Sequence, residues 1–459
     1  MREPLVSVCI PVYRHARFLR TAVESLLAQS LQDFDLSVSD DASPDARETE
    51  AILRDYSDPR IRFHQQSRHG GVASNRDACL QLARGRYVAW LDADDIYEPD
   101  ALERLARVLE SHPDAAFAHG AFNLIDESGG SLKASSGGPP ADTVECSAAA
   151  VRELAACNYV TTSTVLVRRS VQEAAGGFDR TIGRSSTDWN MWLRLAHFGD
   201  VAYLREPVAR YRLHADTISA QTGATDERLH CDVRAVLHAL DGGCTSSPER
   251  SQARAIAKAG LAFRWLIQVQ MAFRAGNTRR ALHAILEAFR QAREHASTDT
   301  WRSLASLVSR RDEYGLHQAC RTIMGSLYTM LAGTRYGEQV RKLAVPDPAW
   351  DAEVIECASA IKLATEPGSL VAAIDKHDPS LLHFSGRDGV HFPEAGAYPR
   401  DASEAISMLS TLREQGIHYL AIPAFSFWWL DFYRNFATHL QTHYTSTWDD
   451  SRCKVYELR

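Results

Sequence analysis

No two cysteines of this chain stand at CxxC spacing; its nine cysteines are scattered from Cys9 to Cys453 and are odd in number. That usage argues against a disulfide framework and for reduced thiols in a cytoplasmic compartment. Long apolar runs are also missing. No stretch approaches the length of a membrane-spanning helix. The apolar run in MREPLVSVCIPVYRH is short and broken by Pro11, which fits neither a signal peptide nor a span. Excess positive charge is absent too: the formal net charge is −7, so no basic field is offered to nucleic acid. No internal repeat stands out.

What is present reads as a soluble, globular protein of more than one domain. Apolar residues make up 45% and charged residues 24% of the 459 positions, a length that suggests about two or three domains. Val6 to Val12 is a β-rich apolar run, read as a buried strand. Phe18, Leu19, Ala22, Val23, Leu26 and Leu27 then recur at helical spacing. Strands follow at Asp35–Ser39, Ile61–Gln65 and Tyr87–Leu91, with helices beginning near Arg47 and spanning Ala73–Ala83. Strands alternating with helices predict a mostly parallel α/β sheet that binds ligands along the strand C-terminal edge.

Gly129 to Pro140 is a flexible insertion in this first part. Near Asp226 the texture becomes Ala-, Leu- and Arg-rich with helical periodicity, with GGCTSS (Gly242 to Ser247) separating two helices. Pro346–Asp347–Pro348 then punctuates the passage to a last α/β segment. There Leu370–Ile374, Tyr419–Ile422 and Lys454–Leu458 read as strands, Ala402–Glu414 and Trp428–Tyr444 as helices. The expected division is therefore residues 1–225, a helical region 226–345, and a small C-terminal domain 346–459.

The sharpest chemical signal is LDADD, Leu91 to Asp95, directly after the apolar strand YVAWL. Three carboxylates at a strand end suit Mg²⁺ or Mn²⁺ bridging a diphosphate, which would neutralise charge on a departing nucleotide. A solvated Asp turn ahead of a helix starting near Pro99–Asp100 would look similar.

Three further segments accompany it in order: SVCIPVYRHARFLRTAVESLLAQSLQDFDLSVSDDAS, GGVASNRDACLQLARGRYVAWLDADD, and STVLVRRSVQEAAGGFDRTIGRSSTDWNMWLRLAHFGD. Together they resemble the family 2 glycosyltransferases over roughly residues 4 to 215. The resemblance implies an A-type, Rossmann-like nucleotide-diphospho-sugar transferase fold. It also implies a nucleoside-diphosphate sugar donor (a UDP- or dTDP-sugar favoured), a divalent metal, and inversion at the anomeric carbon. Carried over by position, Pro11 and Tyr13 lie where the first strand meets the base, and Asp40 or Asp41 accepts a hydrogen bond from it. Arg76 faces the base or phosphates, beside Asp77 where many relatives have asparagine. Asp92 touches the ribose, Asp94 ligates the metal and Asp95 assists. His214, in YRLH, reaches the diphosphate or metal; the alternative is a surface or core histidine.

Asp188, in STDWNMWLRL, is the candidate catalytic base, since inverting transfer needs a carboxylate to take the acceptor's hydroxyl proton. Relatives usually carry an acidic pair there, and Thr187 occupies the first place. An N-cap role is the plainer alternative. Trp189, Trp192 and Leu195 recur at helical spacing and are read as core, while Gly176–Gly177–Phe178–Asp179 resembles the turn beside the acceptor pocket. Processive synthases of the family carry membrane spans and a QxxRW segment. Here Arg264–Trp265 has Leu261 where Gln is required, so transfer of a single sugar is expected.

The middle region's Arg264, Arg274, Arg279, Arg280, Arg290 and Arg293 are compatible with peripheral contact to the inner face of the cytoplasmic membrane. Interspersed Glu287 and Glu294 favour a solvated face instead. The C-terminal segment, with its HFP, WWLD and HL elements, resembles one that accompanies bacterial surface-polysaccharide glycosyltransferases. Its Trp428–Trp429 pair is read as a buried anchor rather than a carbohydrate contact.

The expectation is an enzyme adding one sugar to a glycan or lipid-linked acceptor, as in lipopolysaccharide or capsule synthesis. Two rivals remain. A nucleotidyltransferase would want a Gly-rich N-terminal loop with a basic residue, which VCIPVYRHARF lacks. A non-catalytic carbohydrate-binding or scaffolding protein would not hydrolyse donor.

Overall fold

The computed structural model describes residues 3–135, 139, 141–222, 225–242, 247–344, 348–374, 380–393 and 399–458. The centre of the GGCTSS segment, the end of the 129–140 insertion and Pro346–Asp347 lie outside the described residues. The chain packs as two compact units, one of residues 1–264 with 330–338, the other of residues 265–329 with 339–459. These limits do not coincide with the breaks expected at 225/226 and 345/346, because the first helix of the Ala- and Leu-rich region belongs to the first unit.

In that unit, strands β1 (Val6–Val12), β2 (Phe34–Asp40), β3 (Ile61–Gln65) and β4 (Tyr87–Trp90) alternate with helices α1 (Ala16–Leu27), α2 (Ala46–Arg54) and α3 (Val72–Leu82). The apolar runs read in β1, β2 and β4 are buried along nearly their whole length, as for strands covered on both faces. Phe18, Leu19, Ala22, Val23 and Leu26 form the buried stripe of α1. Next come β5 (Ile96–Tyr97), α4 (Ala101–Ser111), β6 (Ala115–Ile125), β7 (Ser131–Ser135) and β8 (Thr143–Glu145). They are followed by α5 (Ser147–Ala156), β9 (Leu166–Arg168), α6 (Arg169–Ala175), α7 (Thr187–Ala196), β10 (Asp200–Arg212), α8 (Ile218–Thr222) and α9 (Asp226–Gly242).

Among the described residues the strand order is β3-β2-β1-β4-β9-β6-β10-β5, with β7 beside β6 and β8 beside β10. The sheet is mixed rather than mostly parallel. β1 to β4 run parallel, but β9 is antiparallel to both neighbours, β4 and β6. The reversal has a topological cause: β9 enters from an irregular turn, not a helical crossover, so nothing forces it parallel. The insertion is partly ordered by pairing, β7 running antiparallel to β6. Thirteen-residue β10 pairs with β6 and then with β5, which directly follows LDADD. That pairing carries the YRLH segment to the end of β4.

In the second unit, β11 (Val371–Ala373), β12 (Gly389–His391), β13 (Tyr419–Pro423), β14 (Thr445–Asp449) and β15 (Cys453–Glu457) form a sheet of order β12-β11-β13-β15-β14. Leu409, Trp429, Phe436 and Leu440 pack in one core cluster with Leu420 and Ile422 of β13. Val354, Cys357 and Ile361 pack in another with Tyr419 and Ala421 of that strand. The helix expected over Trp428–Tyr444 is two helices broken at Tyr433, whose buried hydroxyl donates to the Pro399 carbonyl at 2.7 Å. Trp429 is the buried anchor of the pair, while Trp428 is exposed. Among the described residues no helix is long and apolar enough to cross a membrane.

Candidate functional site

The LDADD turn closes β4, and its three carboxylates diverge. The Asp95 N–H donates to the Asp92 carbonyl at 3.0 Å, and this tight turn sends successive side chains different ways. Asp94 meets two imidazoles: His214 Nε2 lies 2.9 Å and His15 Nδ1 3.6 Å from the same Oδ2. Burial works to raise the Asp94 pKa, yet the His214 hydrogen bond and the charge of both histidines hold it below its ordinary value. Arg212 braces the turn from β10, its Nε donating to the Asp94 carbonyl at 2.8 Å.

Asp95 departs from its expected part. It is fully buried and points into the protein, accepting from Ser163 Oγ at 2.5 Å and from the Arg212 N–H at 2.9 Å. Burial and the neighbouring Asp94 and Asp92 push its pKa well up. Among the described residues, the donors at this turn close enough to share an ion are His15, Asp94 and His214, and Asp95 is not one of them. Both bonds instead fasten β10 and the Thr162–Thr164 turn to the end of β4.

Asp92 is half-buried. Withdrawal from solvent pushes its carboxyl up to about 6, assisted by Asp94 and Asp188 and opposed by Arg76. Arg76, on α3, is buried and reaches Thr187 Oγ1 at 3.0 Å, Thr162 Oγ1 at 3.4 Å and Asp92 Oδ1 at 3.7 Å. It therefore ties the end of β4 to the start of α7.

At the first strand's end, Pro11 pairs in register with Ser39 of β2. Tyr13 stacks on His69 with ring centroids 4.4 Å apart. Asp40 is buried and accepts from the Ser43 N–H at 2.8 Å, its pKa raised chiefly by burial. Asp41 accepts from the N–H groups of Gly70 and Gly71 at 2.7 and 2.8 Å, and its carboxylate lies 2.8 Å from His69 Nδ1. Both carboxylates are thus engaged by backbone N–H groups, and Gly71, with φ +85, supplies the left-handed turn that Asp41 grips.

On the opposite side, α7 begins after Ser186, which holds the cap position in left-handed conformation at φ 64. Asp188 is thus inside the first turn, not the cap, and accepts from Asn158 Nδ2 at 3.2 Å. Trp189, Trp192 and Leu195 are buried. Asp77 accepts from the Phe178 N–H at 2.8 Å and from Arg180 at 3.3 Å. It therefore pins the Gly176–Asp179 turn, and a Cβ at Gly177 would stand 2.8 Å from its carboxylate.

Sequence reasoning missed four contributors: His15, Ser163, Asn158 and Asp232. Asp232 of α9 accepts from Ser186 Oγ at 2.5 Å and pairs with Arg264 at 3.4 Å. Arg264 lies over the Trp189 ring at 4.7 Å and the Tyr336 ring at 5.1 Å. It is half-buried against α7, which removes it from the arginines weighed for a lipid-facing or solvated helix face. Only His15 left a trace in the sequence, a ring where a helix entry ordinarily has Ser, Thr, Asp or Asn.

The comparisons agree with this architecture. The model of Glycosyl transferase family 2 matches residues 7–137. An uncharacterized glycosyltransferase of Rickettsia felis is 37% identical over 131 residues, 28% of this chain and 21% of the relative. Chondroitin synthase of Escherichia coli is 27% identical over 220 residues, 48% of this chain and 30% of the relative. The chain thus spans less than a third of either relative's length. The crystal structure of S. aureus TarS 1-349 in complex with UDP-GlcNAc superposes with TM-score 0.50 at 16% identity, covering 72% of this chain and 93% of that one. That likeness is one of fold. Residues 7–137 thus match the family 2 glycosyltransferases, and the likeness in structure is that of the A-type fold.

Proposed function

We propose that the chain transfers a single sugar, with inversion, from a nucleoside-diphosphate sugar to a hydroxyl of a glycan or lipid-linked acceptor. The observation that carries this reading is a pair of unlike carboxylate settings about Asp92, on whose carboxyl both Asp94 and Asp188 act. Asp94 is held by imidazoles at the end of β4, where we place the donor, and Asp188 stands in the first turn of α7, where we place the acceptor. Arg76 spans the floor between them through Asp92 and Thr187.

Pro11, Tyr13, Asp40 and Asp41 form the base pocket, with uracil or thymine offering the imide donor a carboxylate accepts. Asp92 takes the ribose. The Asp94, His214 and His15 donor set fits a first-row divalent cation, Mn²⁺ or its neighbours. Such an ion, when bound, supplies positive charge to the departing diphosphate. Asp188 accepts the acceptor hydroxyl proton as that oxygen bonds to the anomeric carbon and the carbon–diphosphate oxygen bond breaks. A glycan acceptor draws support from the chondroitin synthase among the relatives; a surface polysaccharide is the setting we favour.

A thermal-shift panel of UDP-, dTDP- and GDP-sugars with and without Mn²⁺ tests the reading, since ligand binding raises apparent stability by mass action. A metal-dependent shift with one nucleotide class, accompanied by slow donor hydrolysis, is expected. If no nucleotide sugar shifts the melting temperature, the proposal fails.

A further inference from the structure

His15 occupies the N-cap of α1 with φ −120 and makes no side-chain capping bond. Asn, Asp, Ser or Thr is ordinarily preferred there, and here the Ala16 N–H is held by Asp45 at 3.1 Å instead. The local choice therefore conflicts with the fold, and such conflicts gather at functional positions. What the ring does instead is turn toward Asp94. It stands edge-on to the His214 ring with centroids 5.3 Å apart, and to the Phe18 ring at 6.1 Å.

We infer that His15 is a third protein ligand to the divalent ion, and that two imidazoles with one carboxylate make this site prefer Mn²⁺, Co²⁺ or Zn²⁺ over Mg²⁺ and Ca²⁺. The inference rests on the metal-assisted glycosyl transfer proposed above. The donors converge as ligands of one ion do. Adjacent ligands at metal bonds of about 2.1 Å lie about 3 Å apart. The separations here are 2.9 Å from His214 Nε2 and 3.6 Å from His15 Nδ1 to one Asp94 oxygen.

His214 is buried, with its Nε2 turned to Asp94; among the described residues its Nδ1 has no hydrogen-bond partner. The third carboxylate that would have made the set oxygen-rich, Asp95, is consumed by Ser163 and Arg212. Nitrogen ligands favour borderline transition ions, whereas Mg²⁺ and Ca²⁺ demand oxygen. Three protein ligands also leave positions open for diphosphate oxygens.

The test compares the full chain with His15→Asn and His214→Ala. Direct binding of Mn²⁺ is followed by electron paramagnetic resonance without nucleotide, and the visible spectrum of the Co²⁺ form reports ligand number. The Asn variant restores a capping side chain, so its melting temperature without metal should be unchanged or higher while Mn²⁺ affinity falls at least tenfold. A purely structural histidine would give neither combination. In the unaltered protein, Mn²⁺ and Co²⁺ should bind at least tenfold more tightly than Mg²⁺. His15→Asn binding Mn²⁺ as tightly as the unaltered chain, with His214→Ala weakened, would overturn the His15 assignment and leave the metal-assisted transfer standing. Mg²⁺ binding as tightly as Mn²⁺ would overturn the preference. Failure of the unaltered chain to bind any of these ions, with or without UDP, would sink both readings together.

Discussion

Asp94 and Asp188 differ in what surrounds them, and the difference assigns them opposite tests. Asp94 is held by two histidines below its ordinary pKa. Asp94→Ala removes the anionic member of that set and leaves its supports in place, since Arg212 grips the residue through its carbonyl. The Mn²⁺-dependent part of nucleoside-diphosphate affinity should vanish, and calorimetry with UDP in the presence and absence of Mn²⁺ reads it. Unchanged affinity would remove Asp94 from the site. Asp188→Asn retains an oxygen that accepts from Asn158 but cannot take a proton. Donor affinity should survive while transfer falls on the order of a hundredfold or more, measured by initial rates at saturating donor. Transfer near the unaltered rate would make another carboxylate the base. LDADD was legible as a motif because it stands in one unbroken run after a buried strand. Which of its carboxylates turns inward was not, since that depends on the Asp95-to-Asp92 turn and on Ser163 and Arg212, remote in the chain.

Elements explain why those side chains stay where they are. The apolar runs and the helical stripe of α1 announced β1, α1, β2, β3, α3 and β4 to within a residue or two, because β1, β2 and β4 are continuous buried runs and α1 buries a periodic stripe. β9 was not legible: three residues offer too little pattern, and its antiparallel setting follows from its neighbours. The coupling of α7 to α9 was hidden for the same reason. Asp232 holds the Ser186 hydroxyl at the entry to α7 and pairs with Arg264, which covers Trp189. Burial pushes the Asp232 carboxyl up while Arg264 and Ser186 pull the other way, so the pair is a balanced one in a dry place. Asp232→Ala leaves a buried guanidinium without its partner and should cost about 3–5 kcal/mol. Urea denaturation followed by tryptophan fluorescence checks it. A midpoint within error of the unaltered chain would mean that Arg264 finds another partner and that α9 does not fix α7.

At the scale of the whole chain, everything assigned to donor chemistry lies within residues 11–214, and what supports its acceptor side extends to α9 and to Arg264. Tyr336, which lies under the Arg264 guanidinium, belongs to the same compact unit through residues 330–338. A chain ending at residue 346 therefore keeps every part of that unit. It cuts the other unit, exposing Tyr314, which stacks on His383 at 3.7 Å, but that loss falls outside the donor site. A chain ending at residue 225 removes α9 and with it Asp232, so Ser186 and Arg264 lose their shared partner. Residues 1–346 should fold, bind nucleotide sugar with near-unaltered affinity and hydrolyse donor slowly, whereas residues 1–225 should be insoluble or fail to bind. The comparison is made by circular dichroism and by the same thermal-shift panel. Transfer to the natural acceptor is the activity we propose the longer fragment loses. A soluble, folded 1–346 fragment that no longer binds donor would show that residues beyond 346 help to build the donor site, and the functional division drawn here would be wrong.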